Sequence, residues 1–222
     1  SNMLRILAMA FMICDHLWAK VVPGNDWMTY VGRIAFPIFA FMIAEGCRHT
    51  HNRKRYLLSM LGLGLVCQIV YWIAMGSLYQ CILITFSLSI GMICISDYVK
   101  NRATQGAWFL LFIAVSVLFF LCVVLPDLLP NTDYSISYGL FGVLLPVFSY
   151  YPQNKKESIL LFSIGLLLMN LDLGGIQWYS FAAVPLLALY NGTRGKRKMK
   201  YLFYIYYPAH LVIIYFLGFF FR

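Results

Sequence analysis

Apolar runs of roughly 14 to 22 residues follow one another along this chain, separated by short polar punctuation, and Lys, Arg, Asp and Glu are scarce inside them. A helix needs about 20 such residues to cross about 30 Å of hydrocarbon, so each run has the length of a membrane crossing. Transmembrane β-barrels would show alternation over segments of about ten residues, and none is present. With 62% hydrophobic, 18% aromatic and only 11% charged residues, a soluble domain is excluded. The pattern predicts an all-α polytopic helix bundle of about nine transmembrane helices, at 4–22, 29–47, 56–75, 80–98, 107–125, 137–151, 157–171, 177–191 and 200–220. Ser1 and Asn2 before Met3 read as a tag remnant, leaving residues 3–222 as one integral membrane domain without repeats or linkers. No cleavage site of small residues follows the first run, which is expected to be a retained helix.

Loop charges set the orientation. Arg48, Arg53, Lys54 and Arg55, then Lys100 and Arg102, then Lys155 and Lys156, then Arg194, Lys196, Arg197, Lys198 and Lys200 fall in alternate loops and make up 13 of the 17 basic residues. The intervening loops carry Asp26, Asp127, Asp133 and Asp172 and neither Lys nor Arg. Cytoplasmic loops collect basic residues, so the N-terminus is expected in the cytoplasm and the C-terminus outside. Nine crossings keep every basic loop on one side, which argues that the short sixth and seventh runs do cross. This asymmetry accounts for the net charge of +9, and no nucleic-acid partner is needed. The six cysteines, at 14, 47, 67, 81, 94 and 122, lack Cys-x-x-Cys spacing and imply neither a disulfide framework nor a zinc site. His49 and His51 read as solvated loop residues, and no structural metal is expected.

Against this background the first run is anomalous, because it keeps Arg5, Asp15 and His16. Ionisable groups at mid-bilayer cost about 2.5–3.5 kcal/mol each on insertion scales and mark candidate functional sites. Eleven residues of helix advance about 16 Å and about three turns plus 20°, so Arg5 and His16 share a face half a bilayer apart. Counting 1.5 Å per residue from the cytoplasmic boundary puts His16 at about 18 Å and His210, in the ninth run, at about 15 Å. Arg33, entering from outside, lies about 6 Å below the outer boundary, near enough in depth to pair with Asp15. Gln68, Thr85, Ser87 and Ser89 add hydrogen-bonding groups to the same buried layer. Asp15 and His16, being adjacent, point about 100° apart, so Asp15 is assigned to an ion pair with Arg33 or to an amine and not to a dyad with His16.

A second layer lies at the cytoplasmic face. Arg5, Arg48, Arg53, Lys54 and Arg55, with Arg194 and Lys198, suit a polyphosphate, and Tyr201 and Tyr204 could stack a purine. Charge alone leaves open the plainer reading that these loops only orient the chain. Other features read structurally. Glu45 is expected to form a salt bridge with a basic loop residue, Gly62 and Gly64 to permit close helix packing, and Pro37 to kink the second helix beside Arg33. Tyr201, Tyr204, Tyr206 and Tyr207 fit an interfacial aromatic belt.

Asp15-His16, the stretch Gly32-Arg33-Ile34-Ala35-Phe36-Pro37-Ile38-Phe39-Ala40-Phe41, and Glu45-Gly46 with Thr50 and Arg53 to Tyr56 resemble the N-terminal signature of the TraX family. Leu189-Tyr190-Asn191-Gly192, Arg194-Gly195, Tyr201-Leu202-Phe203-Tyr204 and Tyr207-Pro208-Ala209-His210-Leu211 extend the resemblance, which is thin at 100–135 and 150–175. Arg5-x10-His16 also resembles the first-helix motif of the broader membrane acyltransferases. The resemblance implies a multi-pass acetyltransferase of the bacterial inner membrane, with acetyl-CoA as donor and an amine as acceptor, such as a pilin N-terminus, another exported peptide or a small amine. His16, Asp15, Arg33 and His210 become its catalytic candidates. Arg5, Arg48, Arg53, Lys54, Arg55, Arg194, Lys198, Tyr201 and Tyr204 become candidates for holding CoA. His16 is then the base for the attacking amine, or a nucleophile carrying an acetyl group, and Arg33 could instead face the thioester oxyanion. A proton-coupled transporter would use the same buried residues, but the two related halves common in transporters are absent. An accessory subunit of a conjugation or secretion apparatus would have no reason to keep three ionisable residues in one span. The residues do not specify the acceptor or the oligomeric state.

Overall fold

Helices account for nearly all the regular structure, as apolar periodicity without β-alternation requires. The computed structural model describes residues 2–22, 24–190 and 200–220, with side chains in the last stretch at 206–214 and 216–218. In chain order the helices are α1 (Asn2–Lys20), α2 (Trp27–Gly32), α3 (Ala35–His49), α4 (Arg53–Met75), α5 (Ile82–Arg102), α6 (Gln105–Phe119), α7 (Leu125–Leu128), α8 (Gly139–Tyr150), α9 (Lys155–Leu173), α10 (Ala183–Ala188) and α11 (Lys200–Phe220). A π-helical turn, Phe120–Val124, joins α6 to α7, and a 3-10 helix, Gly175–Ala182, precedes α10. Four stretches among the described residues are long and apolar enough to cross a membrane: Trp27–His49, Arg53–Met75, Ile82–Arg102 and Gln105–Leu128. α1 stands outside that set, since Arg5, Asp15 and His16 lower its apolarity. The eighth run is not one α-helix as expected, because Gly174 and Gly175 take positive φ and start a 3-10 turn ahead of the six-residue α10.

The chain forms two compact units, one of residues 1–39 and 173–222 and one of residues 40–172. Within the second, α5 lies deep in the core, with Leu83, Ile90 and Ile93 fully buried. It packs against α4, α6 and α8, where Met92, Leu118, Ile136 and Val143 form a common core. Gly64 lets α4 approach α5, since a Cβ there would lie 3.0 Å from Ile84 Cδ1, whereas Gly62 faces open space. Thr85, Ser89 and Gln68, expected in the polar layer from their depth, make hydrogen bonds to backbone groups of neighbouring segments. Thr85 Oγ1 donates to Ser137 O at 2.9 Å and Ser89 Oγ to Val143 O at 2.7 Å, tying α5 to α8 and its leading turn. Ser87 Oγ donates to Leu83 O within α5, and Gln68 bridges Tyr79 O and Cys81 N. A hydroxyl in an apolar span loses its partner in water, and a carbonyl of a packed neighbour replaces it.

Two helix irregularities follow from proline. Pro37 has no N–H for the carbonyl of Arg33 and its ring crowds that carbonyl, so the break between α2 and α3 falls at Arg33 and Ile34, one turn before the proline. Pro126 likewise denies Cys122 O its i+4 partner, and the chain widens to π geometry there. The outward faces of α4 and α6 carry Leu65, Val66, Ile69, Val70, Trp72 and Ile73, and Trp108, Phe109 and Phe112, all exposed. Only lipid solvates such faces, and the chain is a membrane protein.

Asp133, in the loop between α7 and α8, accepts from Ser77 Oγ at 2.5 Å and from Leu78 N at 2.8 Å in the loop between α4 and α5, pinning the two loops together. The Ser77 hydroxyl, and then the Leu78 amide, hold the carboxyl below its ordinary range. The resulting stabilisation is complete above the unfolded value of about 4 and is lost as pH falls through the lower folded value. Thermal unfolding in detergent between pH 7 and pH 2.5 is expected to show an acid loss that is shallower in Asp133→Asn.

Candidate functional site

α1 carries the site because a short loop turns α2 back onto it. Gly32 sits at the contact: a Cβ there would lie 2.4 Å from Asp15 Cβ and 2.6 Å from Asp15 Oδ1. Absence of that atom lets the carboxylate reach across, and Arg33 Nη2 donates to Asp15 Oδ1 at 2.5 Å. Thr29, one turn before Arg33 and 2% exposed, donates its hydroxyl to the same oxygen at 3.1 Å. Arg33 Nη2 also lies 3.3 Å from Thr29 Oγ1, closing a three-membered network. Depth counting from either end of the membrane expects this Asp15–Arg33 pair. Thr29 was not singled out, although its position four residues before Arg33 puts it on the same helical face.

His16 looks the other way, toward α11. Its Nδ1 is 2.9 Å from Met12 O and 3.3 Å from His210 Nε2, and the ring centroids are 5.1 Å apart. His210, 5% exposed, sets its own Nδ1 2.8 Å from Tyr206 O. Tyr206 stacks on the His210 ring at 4.6 Å and 9°, and its hydroxyl donates to Met9 O at 2.5 Å. Tyr207 meets the same imidazole edge-on at 5.5 Å. Tyr206 and Tyr207 are thus packed on a buried histidine, a correction to the aromatic-belt reading. The signal was available, since Tyr206 and His210 stand at i and i+4. Met9 with Tyr206, His16 with His210 and Lys20 with Gly218 are successive contacts, so α1 and α11 run parallel.

The basic residues divide. Arg5 lies half-buried on the second turn of α1 and has no hydrogen bond or ion pair among the described residues. Arg48 is committed: it donates to Glu45 Oε1 at 2.6 Å, to Tyr150 O at 3.0 Å, to Pro152 O at 3.2 Å and to Ser149 O. Its guanidinium thereby caps the carbonyls left open at the end of α8, so it holds the fold and its donors are engaged away from any phosphate. Glu45 makes the expected salt bridge. Arg53 donates to Cys47 O at 3.0 Å and to Asp97, which also accepts from Tyr150 Oη at 2.6 Å and Tyr151 Oη at 3.3 Å. Asp97 is a residue the sequence reading missed, and its signal was an acidic group at the C-terminal end of an apolar run. Lys54 and Arg55 are exposed in the first turn of α4. Arg194 and Lys198 lie outside the described residues, as do the side chains of Tyr201 and Tyr204.

The parts present are a half-buried carboxylate–guanidinium pair and a two-histidine contact, reached from adjacent residues of one helix that point about 100° apart. No solved structure matches the chain. Among curated proteins, it is 26% identical to "Probable fimbrial assembly protein FimC, serogroup H1" of Dichelobacter nodosus, over 95% of this chain and 92% of that protein. It is 24% identical to "Protein TraX" of Escherichia coli, over 96% of this chain and 85% of that one. The family model described as TraX protein matches residues 1–218, a stretch that takes in Asp15, His16, Arg33 and His210, and the chain belongs to the TraX family.

Proposed function

We propose that this protein is a membrane acetyltransferase that moves an acetyl group from cytoplasmic acetyl-CoA to an amine. The observation that carries the reading is the state of His16. A carbonyl oxygen only accepts, so the Nδ1 facing Met12 O bears hydrogen and the lone pair of the neutral ring is at Nε2. Among the described residues no partner occupies that nitrogen. An unengaged basic nitrogen in a membrane helix, beside a carboxylate that is itself neutralised by Arg33, is what a general base requires.

In the proposed reaction the amine nitrogen attacks the thioester carbonyl, and His16 Nε2 takes the proton the nitrogen loses. The C–S bond then breaks, the amide forms, and the CoA thiolate leaves with the proton returned from His16. Asp15 is held by Arg33 and Thr29 and presents its remaining oxygen as an acceptor for an N–H of the incoming neutral amine. Arg5, without a partner among the described residues and about 16 Å toward the cytoplasm on the same face, suits the phosphates of CoA, with the pantetheine arm lying along α1. Arg194 and Lys198, and separately Lys54 and Arg55, are further candidates for the phosphates by charge, and Tyr201 and Tyr204 are candidates for stacking the purine.

Parallel packing of α1 and α11 supports an odd number of crossings between them. Nine spans with a cytoplasmic N-terminus in a bacterial inner membrane satisfy that parity and the loop charges together. One relative is named for fimbrial assembly. This favours, as acceptor, the N-terminal amine of a pilin or another exported subunit.

Calorimetry on the purified protein in detergent tests the donor. The wild type is expected to bind acetyl-CoA, and Arg5→Ala to bind about 10-fold more weakly, the worth of one charge-assisted phosphate contact. Absence of binding by the wild type would contradict the reading.

A further inference from the structure

The base needs an orienting partner, and among the described residues no carboxylate bonds to His16. In serine hydrolases a buried carboxylate fixes the tautomer of the catalytic histidine through Nδ1–H. Here the nearest carboxylate in sequence, Asp15, has Oδ1 occupied by Thr29 and Arg33 and leaves its helix in a different direction from His16. The Nδ1 of His16 faces another imidazole.

We propose that His210 is the positioning residue for His16, accepting the His16 Nδ1 hydrogen at its own Nε2 and so keeping the His16 lone pair at Nε2. This inference rests on the acetyltransferase reading and adds to it the device that prepares the base. Met12 O and His210 Nε2 together hold the hydrogen at His16 Nδ1, and the His210 tautomer follows from its own carbonyl contact. His210 Nδ1 is 2.8 Å from Tyr206 O and must donate, so the lone pair of neutral His210 is at Nε2. That Nε2 stands 3.3 Å from His16 Nδ1, which donates to Met12 O at 2.9 Å. One hydrogen is shared between two acceptors, a three-centre arrangement. Protonating His210 would set its Nε2–H against the Nδ1–H of His16, two donors face to face, so the contact selects the neutral ring.

The surroundings hold His210 for this purpose. Tyr206 covers one face of its ring at 4.6 Å, Tyr207 meets it at 71°, and the Tyr206 hydroxyl is anchored to Met9 O on the helix that carries His16. Met9, Met12 and His16 follow one another at intervals of three and four residues, so one face of α1 receives the whole assembly. When His16 takes a proton at Nε2, its Nδ1–H becomes a stronger donor and the bond to His210 strengthens with the developing charge. A neutral acceptor does this without burying a second anion beside Asp15.

Glutamine separates this role from packing, because its Oε1 can replace Nε2 as acceptor but cannot take up a proton. The experiment compares wild type, His210→Gln and His210→Phe, with nitrogen-15 histidine NMR in detergent and steady-state acetyl transfer. The wild type and His210→Gln are expected to show His16 protonated at Nδ1 with a bare Nε2, and His210→Phe a mixture of the two tautomers. His210→Phe is expected to lose about 10- to 100-fold in kcat, with KM for acetyl-CoA unchanged, and His210→Gln to retain most of the wild-type kcat. A wild type with hydrogen at His16 Nε2, or a folded His210→Gln as impaired as His210→Phe, would overturn the proposal. The NMR arm reads the tautomer without any turnover, so failure of the acetyltransferase reading and failure of this one are distinguishable.

Discussion

His16→Ala is expected to lower acetyl transfer by about 10²- to 10⁴-fold while acetyl-CoA binding stays at the wild-type level. The split follows from where the two ends of α1 act. Removing the imidazole takes away the group that accepts the amine proton, which matters only as the new C–N bond forms, so kcat falls and binding does not. Arg5 acts in the opposite sense, on binding of the donor. Stopped-flow and calorimetric measurements on the same preparation separate the two, and a His16→Ala enzyme with wild-type kcat would remove the histidine from the chemistry. An amine presented already deprotonated, at high pH, is expected to recover part of the loss, because a free amine has less need of a base.

Asp15→Ala is expected to cost about 2–3 kcal/mol of stability and lower the thermal midpoint by about 4–12 °C. Fully buried pairs lose about 3–5 kcal/mol when one partner is removed. The lower figure applies because the Arg33 and Asp15 side chains keep 17% and 22% exposure. What destabilises is the guanidinium left behind at the break between α2 and α3 without the carboxylate that accepts from it. Asp15→Asn keeps an acceptor for Thr29 and is expected to lose less. The double substitution Asp15→Ala with Arg33→Met, which leaves no orphaned charge, is expected to recover most of the loss. A strictly additive double mutant would mean that the two residues do not stabilise one another.

Two side-chain pairings were legible in the sequence, because a helix rises by a fixed 1.5 Å per residue and loop charges suggest which way each run points. Those two rules set Asp15 near Arg33 and His16 near His210, and the side chains meet at 2.5 Å and 3.3 Å. Rotation about the helix axis and the approach of neighbours were not legible. Gly32 is quoted within a motif, yet its function is the missing Cβ that lets Asp15 across, a property of two packed helices and of neither alone. The break caused by Pro37 falls at Arg33 because the proline acts on the carbonyl four residues back. Arg48 looked the same in sequence as Arg5: both are cations near a span end. Only the open carbonyls at the end of α8 reveal one as a cap. Thr85 and Ser89 share the depth of the polar layer, but hydroxyls of that kind are as readily used to tie helices together, as both do here.

Acetyl transfer in proteoliposomes tests the central claim most directly. Purified wild-type protein and His16→Ala would be reconstituted separately, given acetyl-CoA labelled in the acetyl group, and offered a peptide with a free N-terminal amine beside the same peptide already N-acetylated. The account predicts label on the free-amine peptide alone, with transfer by wild type and almost none by His16→Ala. Wild-type protein that carries no label to any amine, or a His16→Ala protein that carries as much as wild type, would contradict it.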